Sequence, residues 1–202
     1  MLFSSTLTPV ANRGVPPRAF LETIVNWGRS APAEIFAYND SPRDIYAAVV
    51  GELGPFAESA GADGQLRRRA VMLEVMRVHA GFESSWNWNE GVDATNARSL
   101  AHIEGQESGI FQVSFDSVWL GHSALLPFAR ECGIDGPEKF IPAMKCDPGA
   151  SAAKPGHNLA LEYYARLVRV SIAWAGPLKN GAVNQWLKRE AVAEFEALLK
   201  GI

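Results

Sequence analysis

The sequence predicts a mainly α-helical fold with one loop-rich region and an N-terminal extension. Apolar residues recur at three- and four-residue steps, the spacing of one helix face, in three long stretches: Gln65–Phe82, Asn158–Trp174 and about Val183–Leu199. Residues 84–113 are rich in Gly, Asn and Trp and lack this period, which is typical of loop or of a small β-hairpin. A chain of 202 residues is long enough for one domain with a substantial core.

Residues 1–40 are interpreted as an N-terminal arm that wraps on the main body. Prolines at positions 9, 16, 17 and 32 interrupt this region, and helical spacing is found at Phe20–Trp27. The sequence therefore predicts an extended arm with one short helix. Residues 41–202 are assigned to the main domain.

The next elements are bounded by helix start and stop signals. Ser41 is expected to cap a helix that has Pro42 at its first position and ends at about Leu53. A Gly-rich turn at residues 61–64 then leads into the central helix, Gln65–Phe82. Beyond the loop-rich region, shorter helices are expected at Ser114–Leu120, His122–Cys132 and Gly136–Met144, and a loop at Lys145–Gly156.

Glu83 continues the apolar stripe of the central helix as a carboxyl group. The stripe runs through Leu66, Ala70, Leu73, Met76 and Ala80. An ionised carboxylate is destabilised beside apolar residues and at the negative end of a helix dipole. Both effects favour the protonated form of Glu83, which is the form that a general acid needs. Glu83 is therefore a candidate general acid, although a glutamate at a helix end is ordinarily solvated.

Charge and hydropathy argue against several classes of partner. The net charge of −3 and the pI of about 5.8 do not favour nucleic acid, and the run Arg67–Arg69 is interpreted as a solvated helix face. No apolar run reaches the roughly 20 residues that cross a bilayer, so no membrane span is predicted. Cys132 and Cys146 flank a Gly/Pro-rich bend and are interpreted either as a disulfide or as two thiols.

Four motifs, in order along the chain, resemble the lysozyme-like lytic transglycosylases. Glu83-Ser84-Ser85 and Ser108-Gly109-Ile110-Phe111-Gln112-Val113 resemble the Glu-Ser and Ser-x-Gly-Leu-Met-Gln-Ile motifs of that family. Asn158-x4-Tyr163-Tyr164-x2-Leu167 is similar to the third family motif. Ala173-Trp174-Ala175-Gly176-Pro177 stands where the family usually has Ala-Tyr-Asn-x-Gly. The resemblance covers roughly Gln65–Val183.

This resemblance implies a lysozyme-like catalytic domain at residues 41–202. The implied reaction is cleavage of the β-1,4 bond between N-acetylmuramic acid and N-acetylglucosamine in peptidoglycan glycan strands, by hydrolysis or transglycosylation, with Glu83 as the acid. Aromatic faces and polar groups are expected to hold the sugar rings. The expected binding residues are Trp86, Trp88, Ser108, Gly109, Phe111, Gln112, Asn158, Tyr163 and Trp174. Tyr164 and Trp186 are assigned to packing, and no metal or cofactor is expected.

The group that assists Glu83 stays open. Cleavage of a glycosidic bond needs a second group that stabilises or attacks the oxocarbenium-like centre. The candidate carboxylates in the loop-rich region are Glu90, Asp93, Glu104 and Glu107. If none of them acts, the 2-acetamido or 6-hydroxyl group of the sugar serves, as the resemblance implies.

Three other functions fit parts of the sequence. A zinc enzyme would use His79 and Glu83, four residues apart, with His102, but no HExxH pattern supports it. A cysteine amidase would need Cys146 or Cys132 activated by a histidine such as His157, and Cys146 does not precede a helix that would favour a thiolate. A non-catalytic glycan-binding module would gain little from an acid on the apolar stripe.

The N-terminus does not have the basic start, apolar core and cleavage site of a Sec signal peptide. We therefore expect secretion by another route, such as type VI secretion, and action as an antibacterial effector in the periplasm of a target bacterium. An inhibitor, or immunity, protein that plugs the cleft beside Glu83 is then an expected partner. A phage-type endolysin is the alternative.

Overall fold

The computed structural model describes residues 2–55, 61–92, 95, 97–146 and 156–201. The described chain is mainly α-helical, which confirms the predicted class. Its helices are α1 (Arg18–Ser30), α2 (Ile45–Leu53), α3 (Gly61–Ser84), α4 (Ala97–Ala101), α5 (Leu120–Ser123), α6 (Leu126–Glu131), α7 (Pro137–Met144), α8 (His157–Val170), α9 (Gly176–Lys179) and α10 (Arg189–Lys200). Short 3-10 turns lie at Ala11–Arg13, Ala33–Phe36, Ile103–Gly105, Phe115–Trp119 and Asn184–Trp186.

Helix α3 is the central helix of the fold and is enclosed on all sides along its middle turns. Every residue from Ala70 to Gly81 is buried, because α1, α2 and α10 pack around this helix. Its buried charges are paired: Arg77 donates to both carboxylate oxygens of Glu74 at 2.7 Å, and both side chains are fully buried. Helix α3 begins four residues earlier than the predicted Gln65 and ends at Ser84.

The prediction that Arg67–Arg69 form a solvated face is wrong. Arg68 is buried, and its Nε donates to the carbonyl oxygen of Phe36 at 2.7 Å. Arg69 donates to two carbonyl oxygens at the end of α1, and its guanidinium lies 4.2 Å from the centre of the Phe36 ring. Arg67 forms an ion pair with Glu196 at 3.1 Å. Because neighbouring elements pack against this part of α3, the three arginine side chains bond protein groups.

The N-terminal region contributes to the core. Helix α1 is longer than the predicted Phe20–Trp27 and packs against α3, α8 and α10. Its buried apolar residues are Phe20, Leu21, Ile24, Val25 and Trp27. Before α1, the hydroxyl and backbone N–H groups of Ser4 and Thr6 donate to the carboxylate of Glu194 on α10 at 2.5–2.8 Å.

Other element boundaries differ from the predictions at helix ends. Asp44, rather than Ser41, caps α2 by accepting the N–H of Tyr46 at 3.1 Å, so the helix begins at Ile45. The helix predicted to begin at His122 begins at Leu126, and the helix predicted to begin at Val183 begins at Arg189. The helix predicted to end at Trp174 ends at Val170. Within the described part of residues 84–113, α4 was not expected, and the expected β-hairpin is reduced to one antiparallel bridge between Ser108 and Val113.

Two further sequence expectations concern the thiols and the membrane. Cys132 and Cys146 are thiols rather than a disulfide. In the described ranges, no helix has both the length and the apolar character that crossing a bilayer requires. Most of the expected loop at Lys145–Gly156 lies outside the described residues.

Candidate active site

The last turn of α3 brings Glu83 to the edge of a cleft of about 290 Å³. The cleft is lined by Glu83, Glu90, Gly91, Glu107 and Gln112. The side chain of Glu83 is 19% exposed, whereas every residue of the same helix from Ala70 to Gly81 is buried. Glu83 therefore lies where the core ends and the polar cleft begins.

On the side of the core, the carboxyl group of Glu83 is hydrogen-bonded to a buried histidine. Nε2 of His79 lies 2.9 Å from Oε1 of Glu83, and Nδ1 of His79 lies 2.9 Å from the hydroxyl of Tyr164. One helical turn separates His79 from Glu83, so α3 alone sets this pair, whereas Tyr164 comes from α8. Burial raises the pKa of Tyr164 well above its ordinary value, and the nearby carboxyl group of Glu83 adds to the effect. The phenol is therefore protonated at neutral pH.

Aromatic rings enclose the side chain of His79. The ring of Phe111 lies nearly parallel to it at a centroid distance of 6.4 Å, and Trp174 meets it edge-on at 5.7 Å. Phe111 also stacks on Tyr164 at 3.8 Å. The polar contacts of His79 are consequently directed to Glu83 and Tyr164.

The segment Ser108–Val113 forms a tight turn along one wall of the cleft. Its two ends pair through backbone hydrogen bonds of 2.9 and 3.2 Å. Ser84, at the end of α3, donates from Oγ to the carbonyl oxygen of Ile110 at 2.8 Å. The N–H of Gly109 donates to the carbonyl oxygen of Glu90 at 2.9 Å. These bonds join the end of α3 to the turn Ser108–Val113, and they join that turn to the segment that carries Glu90.

Gly109 is required by the close approach of α7 to this turn. Its φ is +71°, and a Cβ atom there would lie 2.1 Å from the carbonyl oxygen of Met144. The next residue, Lys145, places its Nζ 3.8 Å from the position of a Cβ on Gly91. Lys145 thus brings a positive charge to the rim of a cleft whose charged lining groups are acidic.

The candidate carboxylates fall into three groups. Glu90 and Glu107 share the cleft with Glu83. Glu104 is exposed on the 3-10 turn Ile103–Gly105 and does not line the cleft. Asp93 lies outside the described residues. The structure therefore leaves two described carboxylates beside Glu83.

Four of the expected binding residues are core or turn residues, and these expectations are corrected. Trp86 is 5% exposed, and its indole N–H donates to the carbonyl oxygen of Arg77 at 2.9 Å. Phe111 and Tyr163 are buried, and Tyr163 shares a 2.6 Å hydrogen bond with Ser117. Ser108 is fully buried within its own turn. The turn after α3 folds the Trp86 ring back onto the helix, which local composition does not reveal.

The other expected binding residues have varied surroundings. Gln112 lines the cleft, although its side-chain amide donates to the carbonyl oxygen of Gly109 at 3.0 Å. Trp88 is half-buried, and its ring centre lies 3.9 Å from that of His157 in a tilted contact, next in sequence to the exposed Asn158. Trp174 is half-buried, and its Nε1 is enclosed and has no hydrogen-bond partner among the described residues.

The roles of His79 and Tyr164 were not anticipated from the sequence. The four-residue spacing between His79 and Glu83 enters the sequence analysis only through the alternative of a zinc enzyme, which the sequence does not support. No sequence signal connects Tyr164 to His79, because 85 residues separate them. Within the described ranges, no group of three or more His, Cys, Asp or Glu side chains is arranged to hold a metal ion.

A second cavity, of about 330 Å³, lies away from Glu83. Arg166 and Arg169 contribute to its lining, but Arg166 pairs with Glu34 and Glu162, and Arg169 pairs with Asp44 at 2.7 Å. These guanidinium groups already stabilise the packing of α8 on the N-terminal region. The cavity therefore offers weaker chemistry than the cleft beside Glu83.

The cleft beside Glu83 brings a partly buried carboxyl group together with two others and an amide, which suits acid–base chemistry on a polar substrate. Comparisons of the chain with protein-family models, curated proteins and solved structures give no match. The geometry of the cleft is therefore the basis for a functional proposal.

Proposed function

We propose that this protein is a lysozyme-like glycosidase that cleaves the β-1,4-linked glycan of peptidoglycan. The observation that carries the proposal is the position of Glu83. This carboxyl group lies at the end of the apolar stripe of the central helix, and one of its oxygens is hydrogen-bonded to His79. It borders a cleft that contains Glu90 and Glu107. A glycosidase needs one carboxylic acid held at the edge of an enclosed region and open to substrate on one side.

Glu83 would act as the general acid. Its proton passes to the glycosidic oxygen as the bond between that oxygen and the anomeric carbon breaks, and the bonding electron pair leaves with the oxygen. Positive charge then develops on the sugar, where the carboxylate of Glu90 or Glu107 stabilises it. The oxygen of water in hydrolysis, or of the sugar's own 6-hydroxyl group in transglycosylation, then bonds to the anomeric carbon and gives its proton to a carboxylate of the cleft.

Sugar binding would extend beyond the acid. Trp88 offers the exposed part of its ring in the loop that also carries Glu90, and His157, whose tilted ring contacts it at 3.9 Å, is followed by the exposed amide of Asn158. An aromatic face with an adjacent amide suits a pyranose ring that carries an acetamido group. Trp88 and Asn158 would therefore hold a sugar beside the one that is cleaved.

The most direct test is incubation of purified protein with peptidoglycan, followed by mass spectrometry of the soluble muropeptides. Anhydro-muramyl ends would indicate transglycosylation, and reducing ends would indicate hydrolysis. Glycan that stays intact under conditions where the protein is folded would refute the proposal.

Substitution of the carboxyl groups tests their roles in the same assay. Glu83→Gln keeps the shape of the side chain but removes its transferable proton, so we expect the rate to fall about 10²–10⁴-fold. Glu90→Gln and Glu107→Gln identify the assisting carboxylate. Unchanged rates in both variants would favour assistance by the substrate, whereas full activity of Glu83→Gln would show that the acid is misassigned.

The proposed substrate places the reaction in the periplasm, and we propose an antibacterial role there, with an inhibitor protein that protects the producing cell. Expression directed to the bacterial periplasm is expected to be toxic, and expression in the cytoplasm is not. Glu83→Gln should relieve the toxicity. Equal toxicity in both compartments, or toxicity that persists in Glu83→Gln, would contradict this role.

A further inference from the structure

The two hydrogen bonds that link Tyr164, His79 and Glu83 each need one donor and one acceptor. Tyr164, His79 and Glu83 are joined in sequence by two contacts of 2.9 Å, and Tyr164 and His79 are fully buried. A neutral imidazole has one donor nitrogen and one acceptor nitrogen. The tautomer of His79 therefore decides which partner receives a hydrogen and which provides one.

The hydroxyl of Tyr164 is the donor in its contact with His79. Burial keeps this phenol protonated, because its pKa lies well above the ordinary value. Among the described residues, the hydroxyl of Tyr164 has Nδ1 of His79 as its hydrogen-bond partner. A buried donor left unbonded costs about 1–3 kcal/mol. The hydroxyl hydrogen therefore points to Nδ1, which acts as the acceptor.

Donation by Tyr164 to Nδ1 leaves the hydrogen of neutral His79 on Nε2. That N–H then points at Oε1 of Glu83, 2.9 Å away, and Oε1 is the acceptor. When Glu83 carries the proton that the proposed general acid transfers, the oxygen that accepts this bond is its carbonyl-type oxygen. In that form the acidic hydrogen of Glu83 resides on Oε2.

We propose that Tyr164 and His79 are positioning residues that keep the transferable proton of Glu83 on Oε2. The inference rests on the proposed glycosidase function, in which that proton passes to the glycosidic oxygen. In the opposite arrangement, His79 would donate from Nδ1 to Tyr164, and Glu83 would donate its proton to Nε2. The acid would then be bonded to protein instead of substrate. The tautomer of His79 thus separates a competent acid from an incompetent one.

The tautomer is measured directly by NMR of protein labelled with ¹⁵N-histidine, without any substrate. The chain has four histidines, and His79→Gln identifies the signal of His79 by its loss. We expect the spectrum of a neutral ring with hydrogen on Nε2 and a hydrogen-bonded acceptor at Nδ1. Tyr164→Phe should move the Nδ1 signal. A hydrogen on Nδ1, or a spectrum that Tyr164→Phe leaves unchanged, would overturn the proposal.

Kinetics provide the second readout. Tyr164→Phe frees the tautomer of His79 without changing the cleft, so we expect kcat to fall about tenfold while KM is retained. His79→Leu removes the donor to Glu83 and should lower kcat about 100-fold. His79→Gln can place an amide N–H near Oε1 and should recover part of that loss. A rise in KM with kcat unchanged, or equal activity of the Gln and Leu variants, would contradict the positioning role.

Tyr46→Phe is the matched control. Tyr46 is also buried, and its hydroxyl donates to the carbonyl oxygen of Arg68 at 2.9 Å, on the part of α3 remote from Glu83. Loss of this hydroxyl should lower stability without changing kcat. If the wild-type protein does not cleave peptidoglycan, the proposed function fails, and the ¹⁵N spectrum still decides the arrangement of His79. The two failures are therefore distinguishable.

Discussion

At the scale of single residues, Gly109 and Gly133 show two different reasons why a position requires glycine. Both have left-handed backbone, with φ of +71° and +77°. A Cβ on Gly109 would strike the carbonyl oxygen of Met144 at 2.1 Å, whereas a Cβ on Gly133 would have nothing within 4 Å. The first position therefore combines backbone strain with a steric clash, and the second has backbone strain alone.

We predict that Gly109→Ala loses about 1–3 kcal/mol more stability than Gly133→Ala, because overpacking adds to the strain that both share. Urea denaturation followed by circular dichroism measures the difference. Gly109→Ala should also lower activity on peptidoglycan, since the turn must move away from α7. Equal losses of stability in the two variants would show that the turn and α7 can separate at little cost.

Arg77 carries a second prediction at this scale. Burial raises the pKa of Glu74, and the hydrogen bonds and charge of Arg77 oppose this rise. Arg77→Met would leave a buried carboxylate without its cation, which typically costs about 3–5 kcal/mol. Thermal and urea denaturation measure the loss. Lys139→Met, which breaks an exposed ion pair with Asp135, is the control and should change stability little. A similar loss of stability in Arg77→Met and Lys139→Met would contradict the conclusion that the buried ion pair matters more for stability than the exposed one.

At the scale of elements, Glu194 fastens the N-terminal segment to α10. Burial alone would raise the pKa of Glu194, but hydrogen bonds from Ser4 and Thr6 lower it below its ordinary value of 4.5. A carboxyl group with a lower pKa in the folded state stabilises that state above its unfolded pKa. The contribution is lost as the pH falls through the lowered, folded-state pKa.

We therefore predict that the difference in unfolding free energy between the wild-type protein and Glu194→Gln is largest near neutral pH and shrinks below about pH 4.5. Urea denaturation at a series of pH values measures this difference. Glu190→Gln, on the first turn of the same helix, accounts for the general effect of removing one negative charge. A difference that stays constant down to pH 3 would show that the hydrogen bonds from Ser4 and Thr6 contribute little.

At the scale of the whole molecule, α1 and the domain that follows share one core. The five buried apolar residues of α1 are each worth about 1.5–3 kcal/mol on burial, and a domain of this kind is stable by about 5–15 kcal/mol in total. Removal of α1 would also expose the face of α3 that it covers, near Leu73. The main domain should therefore depend on the N-terminal region for its stability.

A shortened chain of residues 41–202 tests this dependence. We predict that it lacks a cooperative thermal transition, in contrast to a single transition of the full chain. Scanning calorimetry and near-ultraviolet circular dichroism measure both properties. A shortened chain with nearly the melting temperature of the full protein would show that α1 is an appendage rather than part of the core.

The sequence by itself located the long helices and placed Glu83 at the end of the central one. Apolar periodicity depends on neighbours three and four residues apart, so it identified the central helix and the carboxyl group at its end without any knowledge of the tertiary fold. The same local signals misplaced helix ends, since a cap depends on one hydrogen bond, as at Asp44. The cleft acids Glu90 and Glu107 were among the candidates, but spacing did not separate them from Glu104.

Tertiary structure alone decided which aromatic residues are core and which border open space. Trp86 and Trp88 are two residues apart in the same loop, yet the first is buried on α3 and the second is half-buried beside His157. The contact of Tyr164 with His79 joins residues 85 positions apart. Periodicity identifies the apolar side of a helix but not the partner that covers it, because that choice depends on how α3 and α8 pack together.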